Sequence, residues 1–320
     1  VKPRVVVTQP IHPEVAALLA NEAEVVMHES PERAWSHEEL LDRARDTDAL
    51  MVFMPDSLDD AFLAACPRLK IVAAALKGFD NFDVAACARR GIWFTIVPDL
   101  LSEPTAELAL ALLLGLARNV AAGDRLIRSG RFAGWRPALY GASLAGATVG
   151  IIGFGQVGRA LERMLRGFSC RVLHHDSAIE GTPLDELLAV SDFVLPLLPL
   201  TPATLHLFDA SAIAKMKPGS FLVNVSRGSV VDESAVADAL ARGHLAGYAA
   251  DTFEMEDWAR PDRPPSIATR LLEMKDKTLF TPHLGSAVRR VRLEIEMTAA
   301  RNILQALSGV RPEGAINEFY

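Results

Sequence analysis

Cysteine is scarce in this sequence. Its three copies, Cys66, Cys87 and Cys170, lie far apart with no Cys-x-x-Cys pair. Neither a disulfide framework nor a structural zinc site is expected, and a reducing, cytoplasmic setting is. No apolar run reaches the roughly 18 residues of a membrane span, so no membrane partner is expected. The opening Val1-Lys2-Pro3-Arg4 leads straight into a strand-like run and does not read as a signal peptide. Basic charge is short as well: 33 Lys and Arg against 40 Asp and Glu leave a formal net charge of −7. That balance argues against nucleic acid or an anionic membrane as the main partner. A locally basic pocket for a small anion stays open. Internal repeats and low-complexity segments are also missing. What remains is an ordinary globular composition, 50% apolar and 23% charged over 320 residues, enough for two modest cores or one large one.

The apolar pattern alternates strands with helices. Val5 to Val7, Glu24 to Met27, Ala49 to Met54, Ile71 to Ala75 and Ile92 to Val97 read as strands. Helices are expected over His12 to Asn21 and from Ser36, where Ser36 and Glu39 have capping-box spacing. One long helix is expected from Pro104 to Ser129, with Leu108, Leu112 and Leu116 on its apolar face. Gly130 to Gly146 breaks into a loop rich in Gly and aromatics. A second run of strands follows: Thr148 to Ile152, Arg171 to His174, Phe193 to Leu197, Ser220 to Asn224, Gly247 to Ala250 and Thr278 to Phe280. A helix over Arg289 to Leu307 ends the pattern. The expected class is α/β, with two Rossmann-like, doubly wound parallel sheets.

The run Gly153-Phe154-Gly155-Gln156-Val157-Gly158 follows a strand and opens a helix. Gly153 suits the tight turn, Gly155 a close approach of backbone to pyrophosphate, and Gly158 close helix–strand packing. Asp176, 18 positions past Gly158, stands at the end of the next strand. There a carboxylate can accept both ribose hydroxyls and repel a 2′-phosphate, so NAD is the expected cofactor. His174 and His175 read as ordinary strand-end residues. Because this motif sits mid-chain, a discontinuous plan is expected: a dinucleotide domain over 99–289 inserted into a substrate domain of 1–98 and 290–320.

Charged groups cluster just after strands, where such sheets place their chemistry. Arg227 follows Asn224-Val225-Ser226, Asp251 and Glu256 follow the next strand, and His283 sits in Thr281-Pro282-His283-Leu284-Gly285-Ser286. Hydride transfer from an alcohol needs a base for the proton, a carboxylate to tune that base and a cation for the anion. His283, Glu256 and Arg227 supply those three types in that order. No metal site is expected.

These motifs, with Met216-Lys217-Pro218-Gly219 leading to Arg227-Gly228, resemble the D-2-hydroxyacid dehydrogenases over nearly the whole chain and in the same order. The resemblance implies an Arg227/Glu256/His283 catalytic set, with Asp251 near the nicotinamide carboxamide. It also implies cofactor contacts at Lys77, Thr105, Gly153, Gly155, Gln156, Val157, Gly158, Asp176, Pro199, Val225, Ser226, Arg227, Asp251, His283 and Gly285. Several segments are similar to the phosphite dehydrogenase branch: Phe53-Met54-Pro55-Asp56, Ala75 to Asp83, Val97-Pro98-Asp99, Gly134-Trp135-Arg136-Pro137 with Tyr140, Glu254 to Arg260, and Gly285 to Glu294. From these the expected substrate is phosphite, bound by Met54, Lys77, Gly78, Arg292, Trp135 and Tyr140. Three cations, Lys77, Arg227 and Arg292, would suit a dianion. The alternatives are a glyoxylate or hydroxypyruvate reductase and a dinucleotide-sensing binding protein. The stretch Ser177 to Pro183 is shorter than the resemblance implies. The aromatic segment 132–140 is expected to anchor a homodimer, with Trp135 or Tyr140 near the neighbour's site.

Overall fold

A computed structural model describes residues 2–30, 32–97 and 99–319. Pro98, at the centre of the Val97-Pro98-Asp99 motif, lies outside the described residues, as do Val1 and Tyr320. The chain divides into two compact units: residues 1–101, 258–261 and 288–320 form the first, and residues 102–257 and 262–287 the second. The division falls a few residues from the positions expected at 98/99 and 289/290. The short return of Trp258–Pro261 to the first unit had no counterpart in the sequence pattern.

The first unit holds a parallel sheet in the order β2-β1-β3-β4-β5, built from β1 (Arg4–Val7), β2 (Glu24–Met27), β3 (Ala49–Val52), β4 (Ile71–Ala74) and β5 (Trp93–Thr95). Every residue of β3 and β4 is buried, so these strands read as unbroken apolar runs rather than as an alternation. One face is covered by α1 (Pro13–Glu22) and α12 (Arg289–Leu307), which bury Val15, Leu19, Val291, Ile295, Ala299 and Ile303. α2 (His37–Ala44), α3 (Asp60–Ala64) and α4 (Val84–Arg89) contribute to a second apolar cluster with Leu40, Phe62, Leu63 and Cys87. The Ser36–Glu39 capping box forms as the spacing implies. After β3 the chain turns on Asp56. Its Oδ2 accepts Phe53 N at 2.7 Å and the Thr8 hydroxyl at 2.5 Å, and burial pushes this carboxyl up to about 6.

The second unit carries a six-stranded parallel sheet in the order β11-β10-β9-β8-β6-β7. Its strands are β6 (Thr148–Ile152), β7 (Arg171–His175), β8 (Phe193–Pro196), β9 (Ser220–Asn224), β10 (Leu245–Ala250) and β11 (Thr278–Phe280). Among its helices are α7 (Gln156–Leu165), α8 (Leu184–Val190), α9 (Ala210–Lys215), α10 (Glu233–Ala241) and α11 (Thr269–Glu273). Two parallel-sheet α/β domains are thus the architecture, as the alternation implied.

The long helix expected over Pro104 to Ser129 is two helices, α5 (Ser102–Ala117) and α6 (Val120–Arg128), bent by 63°. The break lies at Asn119, whose φ of 55° is left-handed. Asn tolerates that conformation better than most residues. Its side-chain amide donates to Leu139 O and Tyr140 O at 3.2 Å each, which ties the break to the loop beyond. No single described helix is long and apolar enough to cross a membrane.

Candidate active site

Parallel strands deliver the ends of all their connections to one edge of a sheet. In the second unit the segments after β6, β7, β8, β9, β10 and β11 carry, in turn, the glycine turn, Asp176, Pro199, Arg227, Asp251 with Glu256, and His283. These sequence-predicted residues therefore share the carboxyl edge of one sheet, the edge that binds ligands in open α/β folds.

The glycine turn has the geometry a dinucleotide needs. Gly153 has φ +93°, and a Cβ there would lie 2.4 Å from Leu197 O. A Cβ at Gly158 would lie 2.6 Å from Gly153 O, so helix and turn touch backbone to backbone. At Gly155, the residue capping α7, a Cβ would meet nothing within 4 Å. That open approach to a helix N-terminus, with Gln156 and Val157 in its first turn, fits a pyrophosphate. Asp176 follows β7 directly. Its Oδ1 accepts Ala178 N at 2.8 Å and its Oδ2 accepts Phe154 N at 2.7 Å. These two amides hold the carboxyl below the usual carboxylate range. The residues present fit NAD: the cradle is open, and the acid is ionised and pinned with lone pairs to spare. His174, in β7, stacks on Phe154 with ring centroids 4.0 Å apart.

The His283 loop is fastened by Asp251, which is 1% exposed. Its Oδ1 accepts the Thr281 hydroxyl at 2.6 Å and Leu284 N at 2.7 Å, and its Oδ2 accepts Gly285 N at 2.9 Å. Its backbone carbonyl takes His283 N at 2.9 Å. His283 itself has φ +56°. A left-handed His is uncommon, and the surrounding bonds over-determine it, as is usual at working sites. The imidazole Nδ1 lies 2.7 Å from Glu256 Oε2, and both side chains are 28% exposed. Glu256 is steadied in turn through Oε1, which accepts Phe253 N at 2.9 Å. One ring nitrogen of His283 is thus committed to a carboxylate. Gly285 packs against Thr105, whose hydroxyl lies 3.4 Å from Gly285 O.

Arg227 projects from a turn that Asn224 builds. Asn224 Oδ1 accepts Ser226 N and the Ser226 hydroxyl, and its side-chain amide donates to Arg227 O at 2.9 Å. Arg227 Nη1 donates to Ser226 O at 3.0 Å, and Val225 is buried beneath. Sequence reasoning passed over Asn224, although Asn-x-Ser after a strand is a turn-forming signal. It also missed a buried clamp behind Glu256. Glu254 and Glu233 each accept the other's backbone N–H, at 3.1 and 2.9 Å, and Glu254 Oε2 pairs with His206 Nε2 at 2.8 Å. Pro199 O accepts the Thr204 hydroxyl at 2.7 Å.

In the first unit, Met54 is half-buried beside Leu58, Phe62 and their neighbours, and Lys77 leads into Gly78. Lys77 pairs with Asp99 at 3.4 Å. Arg292 lies 5.6 Å from the centroid of the Phe53 ring and 3.7 Å from Glu296. Burial pulls its guanidinium below its ordinary value, with Glu296 opposing. Lys77 and Arg292, both expected to meet the substrate, thus each have a carboxylate of their own unit beside them. Trp135 and Tyr140, in the second unit, are 80% and 82% exposed, so neither packs inside its own unit.

The fold and this site define a class, and comparison confirms it. Residues 110–285 match the family model "D-isomer specific 2-hydroxyacid dehydrogenase, NAD binding domain", and the chain belongs to that family. Among its relatives, the glyoxylate reductase of Pyrococcus furiosus is 36% identical, covering 99% of this chain and 96% of that protein. The glyoxylate reductase of Aeropyrum pernix is also 36% identical at the same coverage. Of solved structures, the TT0316 protein of Thermus thermophilus superposes with a TM-score of 0.88 at 33% identity, over 98% of this chain and 99% of that one. The NADPH-dependent glyoxylate/hydroxypyruvate reductase of Sinorhizobium meliloti, solved with NADP and malonate, gives 0.83 at 29% identity, over 99% and 97%. These relatives carry the name of the reductase or none, so the narrower expectation of a phosphite enzyme gains nothing from them.

Proposed function

We propose that this chain is an NAD-linked reductase of a small 2-oxoacid of the glyoxylate or hydroxypyruvate class, using His283, Glu256 and Arg227. The observation that carries this reading is the His283–Glu256 pair at 2.7 Å, on the sheet edge that also bears the glycine turn. A dinucleotide held at the Gly153–Gly158 turn and Asp176 would supply a hydride for C2 of the substrate. His283, through the ring nitrogen that Glu256 does not hold, gives the carbonyl oxygen its proton, and the carboxylate of Glu256 stabilises the imidazolium form. Arg227 offers its planar fork to the substrate carboxylate and to the charge growing on the carbonyl oxygen. One hydride and one proton convert oxoacid to hydroxyacid, and the reverse sequence oxidises it. The names of the relatives support this reading, and so does charge. With Asp99 beside Lys77 and Glu296 beside Arg292, the surplus of cations that a dianion would need is reduced.

A second reading, oxidation of phosphite, is favoured by the segments around Lys77, Trp135 and Arg292, and by Arg292 itself, whose guanidinium makes no hydrogen bond among the described residues. There NAD would take the hydride from phosphorus as the P–H bond breaks, while a water forms the new P–O bond and releases its proton to solvent. One assay separates the readings. NADH is expected to be consumed with glyoxylate or hydroxypyruvate. Formation of NADH from NAD and phosphite, with no turnover of either oxoacid, overturns the first reading and establishes the second.

Asp176 makes NAD the preferred cofactor in this proposal. Replacing it with Ala removes the repulsion of a 2′-phosphate, and kcat/KM with NADPH is expected to rise at least about tenfold, an effect of roughly 1.4 kcal/mol. Equal efficiency with NADH and NADPH in the unmodified protein would refute the role of Asp176.

The exposed Trp135 and Tyr140 make homodimerisation through the 130–146 loop part of the proposal, since aromatics are common interface anchors. Sedimentation at low micromolar concentration is expected to give a dimer that Trp135→Ala weakens. A stable, active monomer contradicts it.

A further inference from the structure

One buried cluster of the first unit plays no part in the chemistry above. Glu296, on α12, is 4% exposed. Its Oε2 accepts two hydrogen bonds from His12, one from the backbone N–H at 2.9 Å and one from Nδ1 at 2.7 Å. Its Oε1 faces Arg292 Nη2 at 3.7 Å, beyond hydrogen-bonding distance. The arrangement is one-sided. His12, reaching in from the start of α1, anchors the carboxylate, while the guanidinium feels its charge without giving it an N–H. Arg292 keeps five donors in a rigid fork over Phe53, with a side chain only 26% exposed. Phe53 is set by the Asp56 turn. A half-buried cation whose donors are unspent among the described residues is built to meet an anion.

We infer that Glu296 is a specificity-determining residue: anchored by His12, it offsets the charge of Arg292 without using its donors, and so tunes the first unit to singly charged oxyanions over doubly charged ones. The inference rests on the reading that Arg292 contacts the substrate. Its physical basis is simple. A carboxylate fixed a few ångströms behind the guanidinium subtracts from the field an arriving anion feels, and it subtracts twice as much from a dianion as from a monoanion. The geometry of the fork, which fits either oxyanion, is unchanged.

The test compares inhibition of the full-length enzyme by oxalate and oxamate, planar anions of nearly equal size that bear two charges and one. Glu296→Gln keeps the acceptor for His12 and removes the charge. It is expected to raise the preference for oxalate over oxamate, as the ratio of their inhibition constants, by about three- to tenfold. Glu296→Asp draws the charge back by one methylene. It is expected to move the ratio the same way by less, and it serves as the measurement should the Gln variant not fold. A ratio unchanged in a folded variant, or both inhibitors weakening together, overturns the inference and leaves Glu296 a packing residue. Arg292→Gln tells that failure from failure of the underlying reading. If it leaves both inhibition constants unchanged, or if neither probe inhibits the unmodified enzyme, Arg292 is no anion contact and the inference falls with it.

Discussion

Replacing His283 with Ala is expected to lower kcat for oxoacid reduction by about 10²–10⁴-fold, while the NADH dissociation constant changes by less than about threefold. The two halves of this expectation have different origins. Catalysis, in this proposal, loses the proton carrier that Glu256 holds at 2.7 Å. In this proposal cofactor binding rests on the Gly153–Gly158 turn and Asp176, whose hydrogen bonds do not involve His283. Stopped-flow absorbance and a fluorescence titration of NADH measure the halves separately. Turnover within a few-fold of the unmodified protein removes His283 from the mechanism. Glu256→Gln is expected to fall between, because the ring keeps a partner and loses the countercharge of its imidazolium.

Asp251→Ala is expected to be as damaging to activity and far worse for stability. The substitution leaves the buried Gly285 N, and the partly buried Leu284 N and Thr281 hydroxyl, without their acceptor. Orphaned buried donors cost about 1–3 kcal/mol each, part of which water entry would recover, so a loss of roughly 3 kcal/mol is expected in urea unfolding. Activity is expected to drop about 10²-fold or more, because the left-handed backbone of His283 is maintained by those same bonds. Unlike His283→Ala, this variant should change the melting temperature. A variant as stable as the unmodified protein would mean that the loop is held by its own turn rather than by Asp251.

Local physics explains which features the sequence displays. Strands β2, β6, β9 and β11 and helix α12 begin and end where the apolar pattern places them. Each is an unbroken apolar run or a regular helical stripe bounded by polar or turn residues. The Ser36 cap is equally local. The break at Asn119 is not, since the apolar pattern runs on through Val120 to Ile127. Bonds from Asn119 to Leu139 and Tyr140, some twenty residues away, tie down the turn. At the site, residue types following strands made Arg227, Glu256 and His283 visible, because a parallel sheet must bring those junctions to one edge. The role of Asp251 as the fastener of the His283 loop depends on two strand ends being neighbours, as only the order β11-β10-β9 reveals. His12 and Glu296 stand 284 positions apart, beyond any spacing rule. The pairing of Arg292 with Glu296 was within reach, at i and i+4 on a helix. The sequence reading counted Lys77 and Arg292 as cations without the carboxylates beside them, Asp99 and Glu296.

The central claim is that this site passes a hydride between the nicotinamide and carbon 2 of a small oxoacid. Its most direct test uses NADH deuterated at the transferable hydride, with hydroxypyruvate as acceptor and mass spectrometry of the product. The account predicts glycerate of the D configuration carrying one deuterium at C2, formed in step with NADH oxidation and lost with His283→Ala. Unlabelled glycerate, or no NADH oxidation with either oxoacid while phosphite reduces NAD, would contradict it.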